Sequence, residues 1–281
     1  MVTPASPYTP RPLETADAAL EAYRALLGVT SAPLETAYLR WLYRDNPWGR
    51  AVGFDAYAGD ELAAHYATIP VEATLEGERA WGLLSLNTAT HPAHQGKGLF
   101  TRLAEQTYAR AHELGYRFVI GVANANSTPG FTRKLGFQLV TPLDVLIGAG
   151  GFAPGREDVG FALAWTEPAL RWRLRRPGAQ YLATADEPAI VYARAHRLGI
   201  LAYLTQAPRS LVAELPRPRR TQPFRMWIGI DPRLQRRGVL VPLPDRLKPS
   251  PLNLIFRDLT GKQQRLSRDT ARFTLLDFDA Y

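Results

Sequence analysis

Apolar residues recur three and four positions apart over Asp17–Leu27 and again from about Leu34 to Arg44, where Asn46-Pro47 interrupts the pattern. That spacing predicts two amphipathic helices, the first capped near Thr15 or Ala16. Three strand-like runs follow, Ala51–Ala58, Glu61–Thr74 and Arg79–Thr90, with turn residues Gly59-Asp60 and Glu76-Gly77 between them. Their order predicts antiparallel strands in succession. Beyond the third run the apolar period lengthens again, through Phe100, Leu103, Ala104, Ala111 and Leu114, and Gly115 supplies a left-handed stop. A strand, a short helix and another strand lead to Phe137. The expected fold is mixed α/β (α+β), a largely antiparallel sheet flanked by helices.

Between the third strand and the long helix stands Gln95-Gly96-Lys97-Gly98-Leu99-Phe100. Two glycines let the backbone approach a ligand closely. The first-turn N–H groups of a helix have no partner inside it, and the dipole favours an anion there. A plain helix start does not need two glycines around a lysine. The turn therefore reads as a pyrophosphate cradle, with Lys97 beside it, for a coenzyme with a phosphate tail.

The same stretch resembles the GNAT (Gcn5-related N-acetyltransferase) superfamily, whose signature is Gln/Arg-x-x-Gly-x-Gly/Ala after a strand ending in proline. Here Trp81–Thr90 is followed by His91-Pro92-Ala93-His94 and then by Gln95 to Phe100, with Phe100 where glycine or alanine is usual. Asn124-Ala125-Asn126-Ser127 and Phe131-Thr132-Arg133-Lys134-Leu135-Gly136-Phe137 resemble the family's second block. The resemblance implies acetyl-CoA as co-substrate, a small-molecule amine as acceptor, and transfer through a ternary complex. It implies coenzyme contacts at Ala89, Thr90, His91, Gln95, Gly96, Lys97, Gly98, Leu99, Phe100, Asn124, Asn126 and Phe131. Asn126 or Ser127 is equally suited to capping a helix with Pro129 in its first turn. An amino sugar or an amino acid derivative is the acceptor suggested by analogy. A non-catalytic module binding coenzyme A or nucleic acid is the alternative.

The division expected is a GNAT domain over residues 1–148, a link over 149–160, and a second GNAT-like half over 161–281. Gly148-Ala149-Gly150-Gly151-Phe152-Ala153-Pro154-Gly155 reads as the link; it also matches a dinucleotide fingerprint after Leu143–Ile147, but Pro154 and Gly155 stand where a helix must open. The second half echoes the first: Leu39-Arg40-Trp41 recurs as Leu170-Arg171-Trp172, and strand-like runs follow at Tyr181–Thr184, Ala189–Ala195 and Gly199–Thr205. No second Gln-x-x-Gly occurs there, so this half is expected to shape the acceptor pocket.

A chain of 281 residues has room for two such cores. It contains no cysteine, which excludes disulfides, thiolate metal sites and an acyl-cysteine intermediate. The net charge of +8 comes almost wholly from arginine, clustered at Arg171–Arg176, Arg217–Arg220 and Arg233–Arg237. Such clusters suit nucleic acid, but Pro216, Pro218 and Pro223 break the middle one, and nucleic acid is not the expected partner. Met1–Arg11 has no apolar leader and no run is long enough to span a membrane. A cytoplasmic monomer or homodimer is expected.

In many GNAT enzymes a strand carboxylate and a tyrosine handle the protons; this chain has neither at those places, and Thr132 stands where the tyrosine falls. His91 is the best-placed base, unless it is only a polar strand end. Asn87, Ser85 and Ala89 are expected on its strand face. Asp277 and Asp279, on an expected final strand Arg272–Tyr281, are candidates to hold a cationic amine or act as base. Trp41, Tyr43 and Trp48 are candidates for the pocket wall. His91 and His94 have the spacing of a metal pair but no third ligand near them in sequence, and no metal is expected.

Overall fold

The computed structural model describes residues 7–30, 33–153, 155, 159–195, 199–219, 222–248 and 250–278. β1 (Thr9–Pro12) leads to α1 (Asp17–Thr30) and α2 (Thr36–Tyr43), and then to β2 (Val52–Ala58), β3 (Glu61–Leu75) and β4 (Glu78–Thr90). α3 (Leu99–Glu113), β5 (Phe118–Ala123), α4 (Thr128–Lys134), β6 (Gln138–Pro142) and β7 (Asp144–Ala153) complete the first half. The second half holds β8 (Phe161–Leu163), α5 (Glu167–Leu174), β9 (Tyr181–Ala183), β10 (Ala189–Ala195) and β11 (Ile200–Ala207). After these come α6 (Arg209–Val212), β12 (Phe224–Ile230), β13 (Gln235–Pro242), β14 (Asn253–Asp258) and β15 (Phe273–Thr274).

The strands form two sheets. The first runs β1-β2-β3-β4-β5-β14-β6 with β8 also on β3; the second runs β13-β7-β12-β11-β10-β9 with β15 on β12. Only β4–β5 and β11–β12 are parallel among the described strand pairs. Each sheet thus takes a strand from the other half at the same place: β14 lies between β5 and β6, and β7 lies between β12 and β13. α1 and α2 cover one face of the first sheet, in a core cluster that continues into the second half. α3 and α4 cover the other face.

The pattern-derived helices and strands as far as Thr90 are all present, with ends displaced by three residues or fewer. Three expectations change. The link over 149–160 is strand as far as Ala153, because the glycine run belongs to a tight pairing rather than a loop. A Cβ on Gly148 or Gly150 would lie 2.0 Å from the Val239 carbonyl oxygen or 1.9 Å from that of Arg237, so β13 can pair only with bare backbone there. Pro154 and residues 156–158 of that link, and Met1–Ser6, lie outside the described residues. Among the described residues of the expected final strand Arg272–Tyr281, only Phe273–Thr274 is strand. Asp277 accepts hydrogen bonds from the Thr274 N–H and hydroxyl, at 2.6 and 3.1 Å, and turns the chain back. Leu114 is half-exposed, standing at the helix end rather than on the buried face of Leu99, Leu103, Ala104, Tyr108 and Ala111. No helix among the described residues is long and apolar enough to cross a membrane.

Candidate coenzyme cradle and acceptor pocket

The cradle forms as its glycines dictate. Gly96 and Gly98 take φ of 75° and 72°, a left-handed backbone that a side chain resists. The space where their Cβ atoms would stand is open. Gly98 is the N-cap of α3, and no side chain caps that end, so the first-turn N–H groups face outward for an anion. Gln95 ties the turn to the strand, its Nε2 donating to the Thr90 carbonyl at 3.3 Å. Phe100 packs beneath the turn, 5.1 Å from the Phe131 ring and 6.0 Å from Tyr66. Lys97 stays near the cradle, 5.7 Å from the Tyr8 ring.

Beside the cradle the sheet opens. β4 and β5 pair from Gly82↔Phe118 to Ser85↔Gly121 and no further, while β4 runs on to Thr90. In this gap β4 bulges: Asn87 and Thr88 together oppose Tyr66, and Asn87 takes φ of 45°. The bulge breaks the alternation that placed Ser85, Asn87, Ala89 and His91 on one face. Ser85 bonds the Tyr66 hydroxyl at 2.8 Å on the α3 side, whereas Ala89 lies in the core under α1 and α2. The His91 N–H donates to the Ala63 carbonyl at 2.9 Å and is not available to a thioester.

A polar chain that no sequence motif marks lies under the bulge. Asp55 and His65 are fully buried and bond at 2.6 Å through Nδ1; His65 Nε2 is 3.0 Å from the Tyr43 hydroxyl, and the Tyr23 hydroxyl donates to Asp55 at 2.7 Å. Burial, with the Asp55 charge nearby, pushes both tyrosines above their ordinary pKa, so both stay neutral donors. Asn87 Nδ2 is buried and faces this chain at the Tyr43 hydroxyl. The signal in the sequence was a histidine inside the unbroken apolar run Ala63-Ala64-His65-Tyr66-Ala67.

The two halves meet at four tryptophans. Trp41 of α2 and Trp172 of α5 stack at 4.4 Å and 13°, and each indole N–H donates to the other's carbonyl, at 2.9 and 3.0 Å. The sequence echo is thus a local two-fold relation. Trp48 and Trp165 close the wall, with Leu84 and Leu86 of β4 below and Asp277 at the far side. The space enclosed is about 20 Å³, room for one water. Asp277 accepts from Trp165 Nε1 at 2.7 Å, and its burial raises the carboxyl pKa to about 6 against the pull of its hydrogen bonds and of Arg173. Arg173 is itself buried, bonded to carbonyls of Leu275, Leu276 and Phe278 and to the Tyr181 hydroxyl. Of the first arginine cluster, Arg173 is thus built into the core, while Arg171 and Arg175 are exposed.

Of the catalytic candidates, Asn87 stands at the gap and Asp277 at the tryptophan pocket; Asp279 lies outside the described residues. His91 accepts from the Ala93 N–H at 3.3 Å and turns toward Glu61 and His94. Ser127 stands at the N-cap of α4 without a side-chain capping bond, and Asn124 Oδ1 takes the N–H groups of Asn126 and Ser127 at 3.0 and 2.9 Å. Phe131 is a core ring behind the cradle, and the Thr132 hydroxyl is spent on the Thr128 carbonyl at 3.0 Å.

Residues 13–140, which carry the cradle, the gap and the bulge, match the family model of the acetyltransferase (GNAT) domain. This segment is a GNAT domain, and the match supports an acyltransferase. No curated protein matches the chain in sequence. Among solved structures, a GCN5-related N-acetyltransferase from Kribbella flavida superposes with a TM-score of 0.60 at 13% identity, over 91% of this chain and 72% of that one. One from Anabaena variabilis gives 0.58 at 13%, over 89% and 73%. Eis1 from Mycobacterium abscessus gives 0.55 at 13%, over 90% and 74%. At such identities the likeness speaks for the fold, and it extends across both halves, as a tandem GNAT arrangement requires.

Proposed function

We propose that this acyltransferase takes an acetyl group from acetyl-CoA and passes it directly to the amine of a small molecule. The observation that carries the reading is the left-handed Gly98, opening an uncapped helix next to the place where β4 and β5 part. A pyrophosphate binds the turn, the pantetheine arm lies along the free edge of β4, and the thioester reaches the bulge at Asn87. With the His91 N–H directed to β3, that of Thr90 falls on the open edge, where it polarises the thioester carbonyl. The neutral amine nitrogen attacks the carbonyl carbon, the C–S bond breaks, and the coenzyme leaves as thiolate while the proton shed by the nitrogen passes to solvent or to that thiolate. A thiolate is stable enough near neutrality to leave without a protein acid, consistent with the engaged hydroxyl of Thr132.

The acceptor enters from the second half, between Trp41, Trp48, Trp165 and Trp172, which must part to admit it. Indole faces and the Asp277 carboxylate suit a cationic amine. Calorimetric titration of acetyl-CoA into the protein and into Gly98→Glu tests the reading. Binding that the glutamate abolishes while the melting curve survives supports it; no binding to the unaltered chain refutes it. Binding without acetyl consumption across an amine panel favours a non-catalytic coenzyme-binding module.

A further inference from the structure

His91 and His94 lack a third partner in sequence, but folding brings one. The His91 N–H bond to the Ala63 carbonyl, 2.9 Å, pins the turn after β4 to the start of β3, where Glu61 stands. We propose that Glu61, His91 and His94 form a binding site for a divalent transition ion of the zinc class.

Glu61 Oε1 lies 3.5 Å from His94 Nε2 and 4.0 Å from His91 Nδ1, and the three donor atoms lie within 4.8 Å of one another. Bonds of 2.0–2.1 Å in a tetrahedron require donors about 3.3 Å apart. Closing the difference takes about 1 Å of side-chain movement, which surface groups supply: Glu61 is exposed, and both histidines are partly so. The orientation of His94 is already set. The Tyr8 hydroxyl is 2.9 Å from its Nδ1 and the rings meet edge-on at 5.5 Å, leaving Nε2 for the ion. Such an outer partner fixes the ligating nitrogen and strengthens it. His91 Nδ1 gives up only the long bond from the Ala93 N–H.

Two imidazoles and one carboxylate select zinc, cobalt, nickel or copper over calcium and magnesium. Three protein ligands leave a coordination position open. Lys97, behind Tyr8, opposes the added charge, and the Glu61 carboxylate must outweigh it. His94 directly precedes Gln95, so an occupied site braces the cradle from its β3 side without sharing a residue of the glycine turn.

The test is titration of Co²⁺ into untagged protein, read by visible d–d absorption, with Zn²⁺ as competitor. One ion per chain with bands of a low-coordinate site, displaced by Zn²⁺, is expected. His94→Ala and Glu61→Gln should lose the bands, and Tyr8→Phe should weaken binding about tenfold, with melting curves showing that each variant folds. The spectrum of the aqueous ion with unaltered protein, or binding undiminished in both His94→Ala and Glu61→Gln, overturns the proposal. Neither outcome depends on coenzyme binding.

Discussion

Ending the chain after residue 148 removes β14 from the first sheet, and the first half should then fail to fold alone. The size of the effect follows from three side chains. Leu254, Ile255 and Phe256 are buried to within 1% of complete, Leu254 and Phe256 in the cluster under α1 and α2, Ile255 in the cluster under α3. At about 1.5–3 kcal/mol for each fully buried side chain, their loss removes about 5–9 kcal/mol. The loss also strips β5 of its antiparallel partner along Phe118–Ala123, leaving only β4 beside it, and separates it from β6. Removal of Asn253 breaks a 2.9 Å bond to Thr128 at the start of α4. A domain is stable by only about 5–15 kcal/mol, so a deficit of this size is decisive.

Two measurements check it. The fragment 1–148 should show no cooperative thermal transition and little near-ultraviolet circular dichroism. In the full chain, Phe256→Ala should cost about 3–5 kcal/mol. With an unfolding entropy of about 2.1 cal/mol/K per residue over 281 residues, that lowers the melting temperature by about 5–8 °C. The whole chain should melt in one transition, because each sheet holds a strand of the other half. A fragment 1–148 that melts cooperatively, or a Phe256→Ala chain in which the first half melts early and the second is unmoved, would refute the argument.

Asp277 predicts a pH dependence. Its folded pKa of about 6 lies above the ordinary 3.8, so the folded state holds the proton more tightly, and stability from this group falls as pH rises from about 4 to about 6. Relative to Asp277→Asn, the parent should lose about 2 kcal/mol between pH 4 and pH 7, read by urea unfolding at each pH; parallel curves would sink the assignment. Tyr43→Phe leaves His65 Nε2 buried and unpaired, and should cost about 1–3 kcal/mol. Tyr43→Phe with Tyr23→Phe should be non-additive by at least 0.5 kcal/mol, since both feed the Asp55–His65 pair; strict additivity in denaturant melts would show two separate bonds.

How much of this was legible depended on the range over which each signal acts. The glycine turn, the helix after it and the strands before it are local, and periodicity with turn chemistry placed them. The bulge at Asn87 is not local: it exists because Tyr66 of β3 takes two residues of β4 opposite itself, and nothing in Ser85–His91 announces that count. Gly148–Gly151 misled for a related reason. A glycine cluster signals either a loop or a backbone pressed against another backbone, and only the position of β13 decides between them. Glu61 and His94 are separated by the whole of two strands, so their meeting belongs to register. His65 did carry a signal: an ionisable side chain within an apolar run must find a buried partner, although the run does not say which.

The exchange of β7 and β14 explains why a half without a cradle persists in the fold. The second half keeps the parallel pair β11–β12, the counterpart of β4–β5, but a four-residue α6 follows β11 where a fifteen-residue α3 follows β4. It therefore has no long helix at the place where α3 opens the cradle, while it supplies the strand that completes the other sheet. Its α5 has kept Trp172, whose reciprocal bonds with Trp41 set the wall of the tryptophan pocket at the seam. An acceptor pocket built on that seam can change its lining through the second half without touching the cradle. The interlocked strands keep the two parts in register while it does so.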